Sequence, residues 1–159
     1  MNPKILLVIL AALLAIAAQA AAPDDAAGCV IRIDEPSDEQ EVGFTIYVQG
    51  TAALPPDSHL WVFARPESHH TLGKWWPQDE GRVNAENHRW RVRARLGSPA
   101  NVGEYFELAV AVFEEKEHQI LRASLIQAEA TRIYDSIDMP AAVCPPVTIT
   151  VRKTSHLEP

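Results

Sequence analysis

The chain has 159 residues, 47% of them hydrophobic, and carries 14 basic against 21 acidic side chains for a formal net charge of −7. That length supplies one domain with a buried core. The acidic balance excludes a general nucleic-acid binder, which needs basic surface to displace the counterions of a phosphate backbone.

Met1-Asn2-Pro3-Lys4 opens an apolar run that reaches Ala18 without a charge, and Ala18-Gln19-Ala20 follows as a small-x-small site. One basic residue, a short apolar core and such a site predict a secretory signal peptide, residues 1–20, cut after Ala20. A cut after Ala22 would leave Pro23 first, which suits signal peptidase poorly. The strongly apolar part, residues 5–16, is well short of the roughly 20 residues that span a bilayer. No stable membrane span is therefore expected once the leader is removed, and the expected location is periplasmic or secreted. Losing Lys4 with the leader makes the remainder one unit more negative than the whole chain.

Ala26-Ala27-Gly28-Cys29 has the outline of a lipoprotein signal, which would make Cys29 a lipid carrier. Asp24 and Asp25 interrupt the run ahead of it, and Ala26 stands where Leu is usual. The preferred reading pairs Cys29 with Cys144, the only other cysteine, in an oxidising compartment. Residues 21–28 read as a flexible lead-in, 29–153 as a single domain and 154–159 as a C-terminal tail.

Within the domain, residues 29–34 predict a first strand, closed by Glu35-Pro36-Ser37-Asp38. Residues 42–49 alternate, with Val42, Phe44, Ile46 and Val48 on one face, and predict one half-buried strand. Residues 59–65 are apolar on both faces, so they predict a central strand with Trp61 on it, and residues 74–78 predict its returning partner. Residues 89–96 point Trp90, Val92, Ala94 and Leu96 inward. Residues 104–113 and 146–153 complete the strands. Between these two the period changes: Ile120, Leu121, Leu125, Ile126 and Ala128 recur at helical spacing without Gly or Pro, predicting an amphipathic helix over 115–131. The sum is a mainly β chain, an immunoglobulin-like antiparallel β-sandwich with one inserted helix.

Four segments taken in order, Leu60-Trp-Val-Phe-Ala64, Trp75-Trp-Pro-Gln78, the 102–112 stretch with its Gly-x-x-Phe-Glu, and Val147-Thr-Ile-Thr-Val-Arg152, resemble a group of bacterial exported immunoglobulin-like modules. An aromatic pair followed by Pro-Gln recurs there ahead of a Gly-x-x-Phe-Glu strand. The resemblance spans most of 40–152; it implies the fold and brings no activity with it.

Three constellations are candidates for function. Trp75 and Trp76 are neighbours on a strand and so point to opposite faces; one enters a core, and the sequence does not choose which. The other offers a stacking surface beside His69 and His70, unless a loop or the helix covers it. Arg89, Arg91, Arg93 and Arg95 alternate on one strand face over about 20 Å, a basic stripe in an acidic chain, suited to carboxylate or phosphate recognition. The plainer account pairs these arginines with Glu104 and Glu107 on neighbouring strands. His59, His69 and His70 could gather round a metal if the loop folds back, yet no His or Cys spacing specifies such a site, and neither a metal nor a cofactor is expected. Glu114, Glu115 and Glu117 fit the positive end of a helix.

No nucleophile elbow, phosphate loop or zinc-protease motif is present, so no enzyme is expected. The reading is an exported binding module for an envelope protein or an anionic glycan, its oligomeric state undetermined. The alternatives are a periplasmic inhibitor or immunity protein, with the acidic stretches Asp34-Glu35 and Asp38-Glu39 as its contact, and, more remotely, a metal-dependent hydrolase.

Overall fold

The structure is a computed structural model and describes residues 28–156. The expected leader, residues 21–27 of the lead-in and the last three residues of the tail lie outside the described residues.

Among the described residues the expected strands and helix appear in the expected order, with the 42–49 strand divided in two and a short strand, β8, added after the helix: β1 (Val30–Glu35), β2 (Gln40–Val42), β3 (Thr45–Ala53), β4 (Ser58–Pro66), β5 (Lys74–Gly81), β6 (Arg89–Arg95), β7 (Tyr105–Glu114), α1 (Glu115–Thr131), β8 (Ile137–Asp138) and β9 (Val147–Lys153). A sheet of order β1-β3-β6 faces a sheet of order β2-β9-β7-β4-β5-β8. This is the strand distribution of an immunoglobulin-like sandwich with an extended second sheet. The predicted helix bounds hold, and β4 is a central strand between β5 and β7. Every pairing is antiparallel except one: β2 runs parallel to β9.

The single strand expected over 42–49 is two strands on opposite sheets. The chain leaves β1, passes a cis Glu35–Pro36 peptide, pairs with β9 as β2, and crosses back at Gly43–Phe44 to begin β3. The alternation survives the crossing because "inward" is the same side for both sheets. Val42 and Val48 both reach the core between them, and Ile46 packs against it.

That core is built from inward residues of both sheets, including Leu60, Val62, Trp90, Val92, Phe106, Leu108 and Val110. A second cluster lies on the outer face of the six-stranded sheet, where Trp61, Phe63, Trp75, Ala109, Ala111 and Phe113 are covered by Leu121 of α1. Trp61 therefore sits beneath the helix and not between the sheets. The helix also corrects the expected apolar face. His118 and Leu121 are its buried residues, Leu125 is half-buried, and Ile120 and Ile126 are exposed. His118, Leu121 and Leu125 follow the 3-4 spacing of one helical face; Ile120 and Ile126 lie off it.

Cys29 and Cys144 form a disulfide with Cα atoms 6.3 Å apart. It ties the start of β1 to the loop before β9 and leaves no Cys29 thiol to carry lipid. Gly50 is needed where β1 bulges toward β3 between Ile33 and Glu35. A Cβ there would overlap the carbonyl of Arg32.

Two changes test this account. Cys29→Ser with Cys144→Ser should lower the urea-unfolding free energy by up to about 4–5 kcal/mol, the loop-closure value for so long a loop. Gly50→Ala should cost about 1–3 kcal/mol through overpacking; an unchanged midpoint would mean that β1 does not approach β3 as described.

Candidate functional site

Strand alternation splits the tryptophan pair. Trp75 turns to the helix-covered face and is 8% exposed, its ring capped by the Arg65 guanidinium 4.0 Å from the centroid. Trp76 goes the other way and is half-buried. β8 pairs with β5 only at Lys74 and Trp75, so from Trp76 onward β5 is a sheet edge. Pro77 follows there, beside a bulge of β5 in which Gln78 is the extra residue between the Val62–Asp79 and Phe63–Pro77 pairs, at the kind of edge and bulge position that tolerates a missing N–H. Trp76 is fixed on two sides: Nε1 donates to the Tyr134 carbonyl at 3.2 Å, and His69 meets the ring edge-on at 5.6 Å.

Trp76 walls a cleft of about 570 Å³ that opens where the sandwich edge passes from β5 to β6. Its inner surface comes from Phe44, Ala64 and Phe106. Arg93 and Arg95 form one lip, and Leu125 and Glu129 of α1, with Tyr134, form the other. Lys153 adds a positive charge behind it. Its ammonium is fully buried, donates to the Ser98 carbonyl at 2.6 Å, lies near His156 Nδ1 at 2.9 Å, and stands 5.2 Å from the Phe44 ring centroid. Ser98 and Phe44 both line the cleft. Burial pushes the Lys153 ammonium below its ordinary pKa, an effect partly offset by Glu104.

The arginine stripe is as the alternation requires: Arg89, Arg91, Arg93 and Arg95 are exposed on β6 while Trp90, Val92 and Ala94 are buried. Its expected partners are elsewhere. Glu107 pairs with the nearly buried Arg65 and with His70, and Glu104 accepts from Ser68 and Asn101. The reason is topological, since Glu104 and Glu107 belong with the opposite sheet. Arg91 lies over the Tyr47 ring, 3.5 Å from its centroid. Among the described residues Arg89, Arg91 and Arg95 have no carboxylate in ion-pair contact. The stripe and the Trp76 surface, read separately from the sequence, meet at this cleft through Arg93 and Arg95.

His59 stands apart from His69 and His70. His69 and His70 lie in the 3-10 turn Glu67–Leu72 after β4, and His59 lies near the other end of that strand. His59 instead meets Glu80 of β5 through Nδ1 at 3.0 Å and Glu115 of α1 through Nε2 at 2.7 Å, and its ring stacks on His118 at 3.7 Å with a 10° interplanar angle. His59, Glu115 and His118 have ligand-type atoms within 4.8 Å of one another. The stacked rings argue against a shared metal in this arrangement, because imidazole lone pairs lie in the ring plane and two parallel planes this far apart share no in-plane point. In addition, His118 Nδ1 accepts the Trp61 indole N–H at 3.1 Å. Glu115 also accepts from Gln119; this bond, then that to His59, lowers its pKa.

His118 and Lys153 were missed in the sequence reading, yet each was signalled. His118 lies three residues before Leu121 on the buried helical face, and Lys153 continues the inward parity of Val147, Ile149 and Val151 on β9. No family model, curated protein or solved structure matches the chain.

Trp75→Ala should destabilise by about 3–5 kcal/mol, with Trp76→Ala costing clearly less; equal losses in a denaturant titration would contradict the division of roles. Around Arg65, burial acts to raise the Glu107 carboxyl, but hydrogen bonds from Arg65 and His70 and the Arg65 charge outweigh it and hold the pKa below the usual value. A lowered folded-state pKa stabilises above the unfolded value of 4.5 and is lost as pH falls through the folded value. Glu107→Gln should therefore flatten the acid limb of the stability profile below about pH 4.5.

Proposed function

We propose that the protein is an exported, non-enzymatic binding module that recognises an anionic polymer of the cell envelope, or the acidic face of an envelope protein, at the cleft under Trp76. The observation that carries this reading is the convergence of Trp76, Arg93 and Arg95 on one cleft in a chain of net charge −7. A fixed indole supplies a flat stacking surface. Guanidinium groups at the lip supply planar donors for carboxylate or phosphate, and the Lys153 charge behind the wall adds to the field. Export is supported by the leader pattern and by a disulfide, which belongs to oxidising compartments. Arg91 and Arg89 continue the basic surface away from the mouth, which suits a ligand longer than the cleft.

The test uses polygalacturonate as a model polyanion and neutral dextran as control, followed by tryptophan fluorescence. Polygalacturonate should bind and weaken with added salt, and dextran should not. Trp76→Ala and Arg93→Gln/Arg95→Gln should each weaken binding about tenfold or more, as expected for losing an aromatic or charge-assisted contact. Arg89→Gln/Arg91→Gln should have the smaller effect. Equal binding by all variants would move the site away from the cleft.

A further inference from the structure

The His59–His118 cluster is bound up with the cleft through α1. His118 sits in the first turns of the helix. Eleven residues on, about 16 Å along the axis, Glu129 forms part of the cleft lip with Leu125, and Tyr134 just beyond the helix holds the Trp76 indole. Among the described residues, the helix that builds this wall meets the sheet through Leu121 and the half-buried Leu125, through the exposed His59–Glu115 bond and the His59–His118 stack, and through one fully buried hydrogen bond, Trp61 Nε1–H to His118 Nδ1.

That contact fixes a protonation state. An indole nitrogen only donates, so His118 Nδ1 must present its lone pair and the neutral ring carries its proton on Nε2. Adding a proton at Nδ1 turns an acceptor into a donor facing another donor. It also places a charge in a site where His118 is 2% exposed and Trp61 1%, stacked on His59. The charged and titratable groups facing His118 are His59 from β4, Glu80 from β5, and Glu115 and Arg122 from α1. β7 contributes only the apolar Ala109, Ala111 and Phe113. Burial first, then the His59 charge, lower the His118 pKa, outweighing the opposing pull of Glu80 and Glu115.

We infer that the Trp61–His118 bond is a latch on α1, and that protonation of His118 loosens the helix, opens the wall beside Trp76 and releases the anionic ligand in mildly acidic surroundings. This rests on the cleft being the binding site. Because the folded-state pKa of His118 is lowered, the stability it gives is complete above the unfolded value of 6.5 and declines as pH falls below that value toward the folded one. Ordinary charge titration works in the opposite sense on binding: an acidic protein loses negative charge as pH falls, which alone would strengthen its hold on a polyanion.

The experiment follows the indole N–H signals of the whole mature protein by ¹H–¹⁵N NMR from about pH 7.5 to about pH 5, with polygalacturonate affinity measured over the same range. The Trp61 and Trp76 signals should move together with one midpoint below the ordinary histidine value, while Trp90, in the core between the sheets, stays in place. Polygalacturonate affinity should fall at least about tenfold over that span. In His118→Gln, whose side-chain oxygen can still accept the Trp61 N–H, the joint movement should vanish and affinity should rise as pH falls. If His118→Gln does not fold, the wild-type titration decides alone. Movement of Trp61 without Trp76, or a wild-type affinity that rises with acidity, overturns the inference. Joint movement with no polygalacturonate binding at any pH upholds the helix motion but overturns ligand release by removing the binding reading beneath it.

Discussion

Seven consecutive buried residues, Leu60 to Pro66, dictate the layering of this molecule. A strand sends successive side chains to opposite faces, so β4 cannot satisfy them with one partner layer. Leu60, Val62 and Ala64 require a second sheet, whereas Trp61 and Phe63 require cover on the far side. The helix between β7 and β8 supplies that cover. The arrangement puts α1 against the edge where β5 loses its β8 partner, and so creates both the wall of the cleft and the setting of the buried histidine. Site and core thus share a cause.

Most strands were legible because they show either period-two alternation, as in β6, or an apolar run buried on both faces, as in β4, and the helix because 115–131 lacks breakers and changes period; the two-residue β8 carries neither signal. What the sequence hid was partnership. A run such as 42–49 keeps its alternation when the chain switches sheets, so the crossing at Gly43–Phe44 leaves no trace in the pattern. Ile120 and Ile126 are apolar at helical spacing, but the face is chosen by what lies beneath, and His118 bonded to Trp61 fits there. Arg89 to Arg95 were placed on the right face of the right strand, whereas Glu104 and Glu107 were expected beside them because sequence order does not reveal which sheet a strand joins. For the same reason the meeting of Trp76 with Arg93 and Arg95 was out of reach: it depends on β5 and β6 facing each other across an open edge without pairing.

The polar groups of the interior divide into two kinds. Arg65 with Glu107 is a nearly buried ion pair whose guanidinium also covers Trp75; breaking one partner strands the other, so it constrains the chain without offering a surface. Lys153 and His118 are held by neutral acceptors or donors, and both have pKa values lowered mainly by burial. Groups of this second kind stand next to the cleft or next to the helix that walls it, and a change of their charge has structural consequences that a surface residue would not have.

The disulfide also decides how the fold would carry tension. Cys29 lies at the entrance to β1 and Cys144 just ahead of β9. A pull on the two ends of the domain would pass from Cys29 through the sulfur atoms to Cys144 and then along β9 alone. The chain between the two cysteines, 115 positions in sequence, would stay slack, shielding the cleft, α1 and every strand but the last. Force could strip β9, and Lys153 with it, from β2 and β7 before it reached Trp76, so the bridged protein would behave as a short tether with the rest of the domain hanging from it.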